Sequence, residues 1–139
     1  MANTARQEIL AQIKTILEDV DDVNYVEIDR ATPVDLDTVS LPAVFVYTSR
    51  EVRCYDERAV IGYETWDWEL VIEVWTQETD QEELLGKIHS AMFADNDLGD
   101  HAILNVRTGV SFYVLDVTKS IKSMVLTYYI LYRHTLGVM

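Results

Sequence analysis

A chain of 139 residues with 11 Lys plus Arg against 24 Asp plus Glu carries a formal charge of −13. That charge repels a nucleic-acid backbone rather than neutralising it, which argues against ordinary DNA binding, and the length suits one domain with one core. Cys54 is the only cysteine, so an intramolecular disulfide is excluded and a reducing compartment fits better than a secreted disulfide scaffold.

The opening Met1-Ala2-Asn3-Thr4-Ala5-Arg6 has no basic region followed by an apolar one, so no signal peptide is expected. The longest apolar runs are strand-sized, short of the roughly 20 residues a membrane helix requires, and no membrane partner is expected. Thr4 to Val20 reads as a helix: Ile9, Ile13, Ile16, Leu17 and Val20 recur at helical spacing, and Thr4 with Gln7 fits a capping box. Asp19, Asp21 and Asp22 crowd the end where the macrodipole disfavours negative charge, so the helix should stop near Val20 to Asp22. These three acids are read as a solvated helix exit, with a divalent-cation site as the alternative.

Tyr25 to Ile28 is a short strand. Thr32-Pro33 and Leu41-Pro42 bracket a polar loop anchored by Val34, Leu36 and Val39, and Ala43 to Thr48 is a strand apolar on both faces, suited to the sheet interior. Ser49 to Gly62 reads as a protruding charged β-hairpin with its tip at Tyr55-Asp56-Glu57-Arg58. Arg50, Arg53 and Arg58 stand out in so acidic a chain. Either they pair with acids across an exposed ribbon, or they form a basic edge for an acidic surface on a neighbouring subunit.

Tyr63 to Thr76 is the central strand. Trp66, Trp68, Leu70, Ile72 and Val74 alternate with Asp67, Glu69, Val71, Glu73 and Trp75, so one face is large and apolar. A second helix follows from about Asp80 to Phe93, announced by Thr79 with Glu82 and carrying Leu84, Leu85, Ile88 and Met92 at helical spacing. Gly86 within it is explained if it lets the helix sit close on the sheet, and His89 is a surface or boundary histidine. Asp95 to Asp100 begins like a calcium loop, but its glycine is one place early and Val106 stands where the closing glutamate belongs, so a turn is expected.

Ile103 to Val106, Val110 to Val117 and Lys122 to Thr135 complete the sheet. In the last, Met124, Leu126, Tyr128, Ile130 and Tyr132 share one face while Val125, Tyr129 and Leu131 occupy the other. Two helices placed on the Trp66 and Trp68 face leave the opposite face to be covered by a partner or by the Ser49 to Gly62 ribbon folding back. The fold class is α+β: a mostly antiparallel twisted sheet with two helices on one face and a protruding charged hairpin, in a single domain.

Five scattered glycines make no phosphate loop or dinucleotide fingerprint. Gly109-Val110-Ser111-Phe112-Tyr113 lacks the second glycine of a nucleophile elbow, and no cofactor, metal or catalytic set is expected.

The element order is helix, short strand, proline-bounded loop, strand entered through Leu41-Pro42-Ala43-Val44-Phe45-Val46, charged hairpin, Trp-bearing strand, helix, acidic turn and Tyr-rich strand. This resembles the tail terminator (tail completion) proteins of long-tailed bacteriophages. The resemblance implies a structural virion protein without enzymatic activity. It would form a six-membered ring on the last tail-tube ring, end tube growth and dock the head-tail connector protein, with DNA passing through the lumen unbound. Arg50, Arg53, Tyr55, Arg58, Val125, Tyr129 and Leu131 are then the candidate contact residues. A small acidic DNA mimic that occupies a basic host partner, or another neck or head-completion protein, is the alternative.

Overall fold

The computed structural model describes residues 5–28, 40–54, 63–77, 81–94, 98, 102 and 104–135. Its elements are α1 (Ala5–Glu18), β1 (Tyr25–Ile28), β2 (Ala43–Cys54), β3 (Tyr63–Gln77), α2 (Gln81–Ala94), β4 (Leu104–Asp116) and β5 (Ile121–Thr135). The five strands form one sheet in the order β1-β2-β3-β5-β4, with β1 parallel to β2 and every other pair antiparallel. The fold is α+β, as the hydrophobic periods require.

Alternation along β3 and β5 decides where the helices go. Trp68, Leu70, Ile72 and Val74 of β3 and Met124, Leu126, Tyr128, Ile130 and Tyr132 of β5 are buried in one cluster. Ile9, Leu10, Ile13 and Leu17 of α1 and Leu84, Ile88 and Met92 of α2 close it from above. Each such side chain contributes about 1.5–3 kcal/mol on full burial, so this layer dominates the folding energy. Both helices therefore sit on the Trp68 face.

α1 ends at Glu18, and Val20 N–H bonds the Leu17 carbonyl at 3.2 Å before Asp22 takes a positive φ of 75°. That short acidic turn feeds β1, which Asn24 ties to the next strand by donating from its backbone N–H to Pro42 O (2.9 Å) and from Nδ2 to Leu41 O (2.7 Å). The Leu41-Pro42 peptide is cis.

Three expectations are revised. Ser49 to Cys54 is no separate ribbon arm: it continues β2, pairing with Thr65 to Glu69 of β3 across a register shift between Thr48 and Arg50. It therefore does not fold back over the sheet, and the hairpin tip, Tyr55 and Arg58 included, lies outside the described residues. Ile103 to Val106 and Val110 to Val117 are parts of one strand, β4, interrupted by a bulge between Arg107 and Gly109; the extra residue is what a glycine in a strand interior often marks. Gly86 does not permit close approach, because it is exposed and a Cβ there would meet nothing within 4 Å. The Thr4 and Thr79 caps, the anchors Val34, Leu36 and Val39, and the Asp95 to Asp97 turn also lie outside the described residues.

Candidate assembly surface

Strand register places two kinds of surface beyond the core. The first is the sheet face away from the helices. Tyr25 and Glu27 of β1, Phe45, Tyr47, Arg50 and Val52 of β2, Asp67 to Trp75 in alternation on β3, and Val125, Tyr129 and Leu131 of β5 share it. An aromatic row crosses three strands at one end: the Tyr25 and Phe45 rings lie 6.0 Å apart and the Phe45 and Trp75 rings 4.7 Å apart, both tilted. Such offsets place ring edges against faces, which favours the pairs beyond their buried area.

Further along this face the chemistry turns polar. Tyr129 donates its hydroxyl to Asp67 Oδ1 at 2.5 Å, and with Arg50, Val52 and Glu69 these residues line a shallow cleft of about 180 Å³. Ser123 donates to Glu73 Oε1 at 3.1 Å. Burial, with the Glu73 carboxylate nearby, raises the Tyr47 hydroxyl pKa above its ordinary value.

The predicted contact residues fall unevenly on this surface. Arg50 is exposed and directly across from Glu69. Arg53 is placed by its backbone opposite Trp66, and its side chain is outside the described set. Val125 and Tyr129 are half-buried, whereas Leu131 is only 3 % exposed and so is already sheltered by its own chain.

The second surface is β4 itself. Among the described residues it is an edge strand, and Phe112 (50 %), Tyr113 (56 %), Val114 (62 %) and Val117 (83 %) are exposed along it and its turn. The exposed residues alternate between both faces of the sheet, so no single helix could shelter them. The signal was present in the sequence as the run Phe112-Tyr113-Val114-Leu115-Asp116-Val117, which has no polar face. Which strand would lie at the edge was not readable from it.

His89 of α2 lines a cavity of about 250 Å³ with Phe93, Asn105, Arg107 and Tyr128. Its Nδ1, the Asn105 Oδ1 and the Tyr128 hydroxyl are buried without a protein partner. Desolvation pushes the Tyr128 hydroxyl pKa up to about 12, against a smaller lowering by the Arg107 charge. At the exit of α1, Lys87 of α2 donates to Asp22 Oδ2 at 2.7 Å and lies 3.5 Å from Glu83. Among the described residues no group of three His, Cys, Asp or Glu side chains is placed to hold a metal ion.

No family model and no curated protein sequence matches the chain. Among solved structures, the fold is similar to that of a chain in the virion of a native gene transfer agent particle. The likeness has a TM-score of 0.42 and 12 % identity over 94 % of this chain and 92 % of that one.

Proposed function

We propose that this protein is a structural component of a phage-type virion that forms a ring at the head-proximal end of a tail tube, ends tube polymerisation and offers the docking surface for the head connector. It acts by assembly rather than catalysis, and DNA passes through its lumen. The observation that carries the reading is the sheet's exposure: among the described residues the helices shelter one face, Tyr25, Tyr47 and Val52 are exposed on the other beside the buried Phe45, Val71 and Leu131, and Phe112, Tyr113 and Val114 are exposed along β4. Exposed apolar area of this kind is the mark of an interface. The element order and the Leu41 to Val46 entry, which resemble tail terminators, support the position in the particle. A charge of −13 per copy suits a lumen through which DNA slides without sticking.

Native mass spectrometry with and without the tail-tube protein tests this. A defined oligomer, or one formed on the tube, is expected, with rings in negative stain. A persistent monomer that neither forms rings nor caps tubes would overturn the proposal, and salt-sensitive capture of a DNA-binding host protein would favour the acidic-mimic alternative.

A further inference from the structure

The start of β4 leaves an unfinished corner between that strand and α2. Register sets Asn105 opposite Ile130 and Arg107 opposite Tyr128, and both partners belong to the buried cluster. Asn105 and Arg107 therefore stand on the helix face, beside the C-terminal half of α2. The bulge after Arg107 puts Val110, rather than Gly109, next on that face; bulges of this kind re-aim side chains beside functional sites.

The corner holds the cavity of about 250 Å³ whose polar wall is His89, Asn105, Arg107 and Tyr128. Asn105 and Tyr128 are only 8 % and 1 % exposed. Yet Asn105 Oδ1, the Tyr128 hydroxyl and His89 Nδ1 have no hydrogen-bond partner among the described residues, and Asn105 Nδ2 reaches Met92 O only at 3.4 Å, the long limit of a hydrogen bond. Native interiors leave few polar groups unmade, and those few mark strained, functional or occupied places.

The wall selects the charge of an occupant. A guanidinium only donates and keeps its proton, and Arg107, half-buried, forms no ion pair among the described residues although the chain carries 24 acids. Its charge is felt in the corner: burial raises the Tyr128 hydroxyl pKa and Arg107 opposes the rise. The Tyr128 hydroxyl, a His89 ring nitrogen and the Asn105 amide are each able to donate as well, and the terminal torsions of His89 and Asn105 are soft enough to turn toward an occupant. Four donors around one volume suit an anion and oppose a cation. Met92, Phe93 and Val106 supply an apolar side. At about 30 Å³ per water, 250 Å³ would take about eight waters, more than these few polar groups can anchor. The volume falls just below the roughly 300–1,000 Å³ of drug-sized pockets, so the fitting occupant is small. A single guanidinium matches one planar carboxylate with two parallel hydrogen bonds and leaves part of a phosphate's charge uncompensated.

We propose that the corner between α2 and β4 binds a small organic acid, its carboxylate held by Arg107 with Tyr128 and His89 and its apolar body lying against Met92, Phe93 and Val106. Such a site requires no ring and is independent of the assembly reading.

The probe is phenylacetate, which joins one carboxylate to a small ring; phenylacetamide is its neutral twin. Titrated into the isotope-labelled full-length chain and followed by heteronuclear NMR, phenylacetate should bind saturably with a dissociation constant of about 1 mM or below. The shifts should centre on His89 to Phe93 and Asn105 to Arg107. Phenylacetamide should bind about tenfold more weakly or worse, as should phenylacetate to Arg107→Gln, because each lacks one half of the charged pair. No saturable shift below about 10 mM, equal binding of the amide, or shifts centred elsewhere overturns the site. Inorganic phosphate that matches phenylacetate overturns the organic-acid reading in favour of a plain anion hollow. The comparison of acid with amide on the wild-type chain needs no variant, so it decides the matter even where Arg107→Gln fails to fold.

Discussion

Glu51 is the residue through which the N-terminus of α1 is fastened to the sheet, and removing its charge should be felt by the whole fold. Its Oε1 accepts from Arg6 Nε at 2.6 Å and its Oε2 from the hydroxyl of Tyr132 at 2.8 Å. Arg6 also donates from Nη2 to Thr48 Oγ1 at 2.8 Å, which Trp68 Nε1 reaches at 3.1 Å, and the guanidinium lies 5.1 Å over the Trp68 ring. Tyr132 packs edge-on to Trp68 at 5.6 Å, and both are fully buried. Glu51→Gln keeps the shape but removes the charge: with the amide oxygen turned to Arg6, its Nε2 can only donate to the Tyr132 hydroxyl, so both charge-assisted bonds become neutral-acceptor or reversed ones. A hydrogen bond to a charged group is worth about 1.5–3 kcal/mol, and that is the expected loss, trimmed toward the lower end because Arg6 is partly exposed. At about 2.1 cal/mol/K of unfolding entropy per residue, a chain of this length should melt about 5–10 °C lower. Thermal and urea unfolding of Glu51→Gln, Tyr132→Phe and the double variant form a cycle whose coupling term should be about 1 kcal/mol. A Glu51→Gln protein within about 0.5 kcal/mol of wild type, or a coupling near zero, would refute the reasoning.

The two buried tyrosines of β5 should respond differently to loss of their hydroxyls. Tyr132→Phe removes a hydrogen bond to the Glu51 carboxylate and costs about 1.5–3 kcal/mol, whereas Tyr128→Phe removes a hydroxyl without a protein partner among the described residues and should be close to neutral at pH 7 by urea unfolding. Because the Tyr128 pKa rises from 10.0 to about 12 on folding, its contribution is intact below pH 10 and is lost as the pH climbs from 10 to 12. Folded-state stability should fall over that window, by an amount on the order of 2–3 kcal/mol, and less steeply in Tyr128→Phe. Gly86→Ala should stabilise by about 1 kcal/mol and raise the melting temperature by about 3 °C, since the exposed helical site has room for a methyl group; an unchanged or lower melting point would contradict the geometry. Val125→Asp, half-buried on the helix-free face, should leave the monomer folded but weaken the self-assembly proposed above, measured by native mass spectrometry.

Much of this architecture could be read before the coordinates because strand and helix periods differ. Trp66 to Val74 step by two and Ile9 to Val20 by helical turns, so most of the elements and their inner faces followed from spacing, and placing both helices on the Trp68 side was the simplest arrangement that fitted it. What spacing could not supply was neighbour relations. The Ser49 to Cys54 stretch reads as a separate ribbon because its charges break the apolar pattern of Ala43 to Thr48. The register shift after Thr48 explains the break: Glu51 faces the helices and is consumed by Arg6 and Tyr132, while Arg50 faces away. Leu131 likewise reads as a contact residue from alternation, yet its own surroundings bury it. The apolar run of β4 was visible as letters, and it acquired meaning only when the strand order placed it at the edge.

Net charge and exposed apolar area therefore pull in opposite directions. At −13 per copy the chains repel at a distance, and that repulsion acts over spacings larger than a Debye length, about 8 Å at physiological salt. Moderate salt should thus remove much of that repulsion, while the exposed apolar side chains of β4 gain from burial at any ionic strength. A chain built this way stays dispersed at low concentration and low salt. It should join where copies are already brought close, so self-association measured against salt should rise between low and moderate ionic strength.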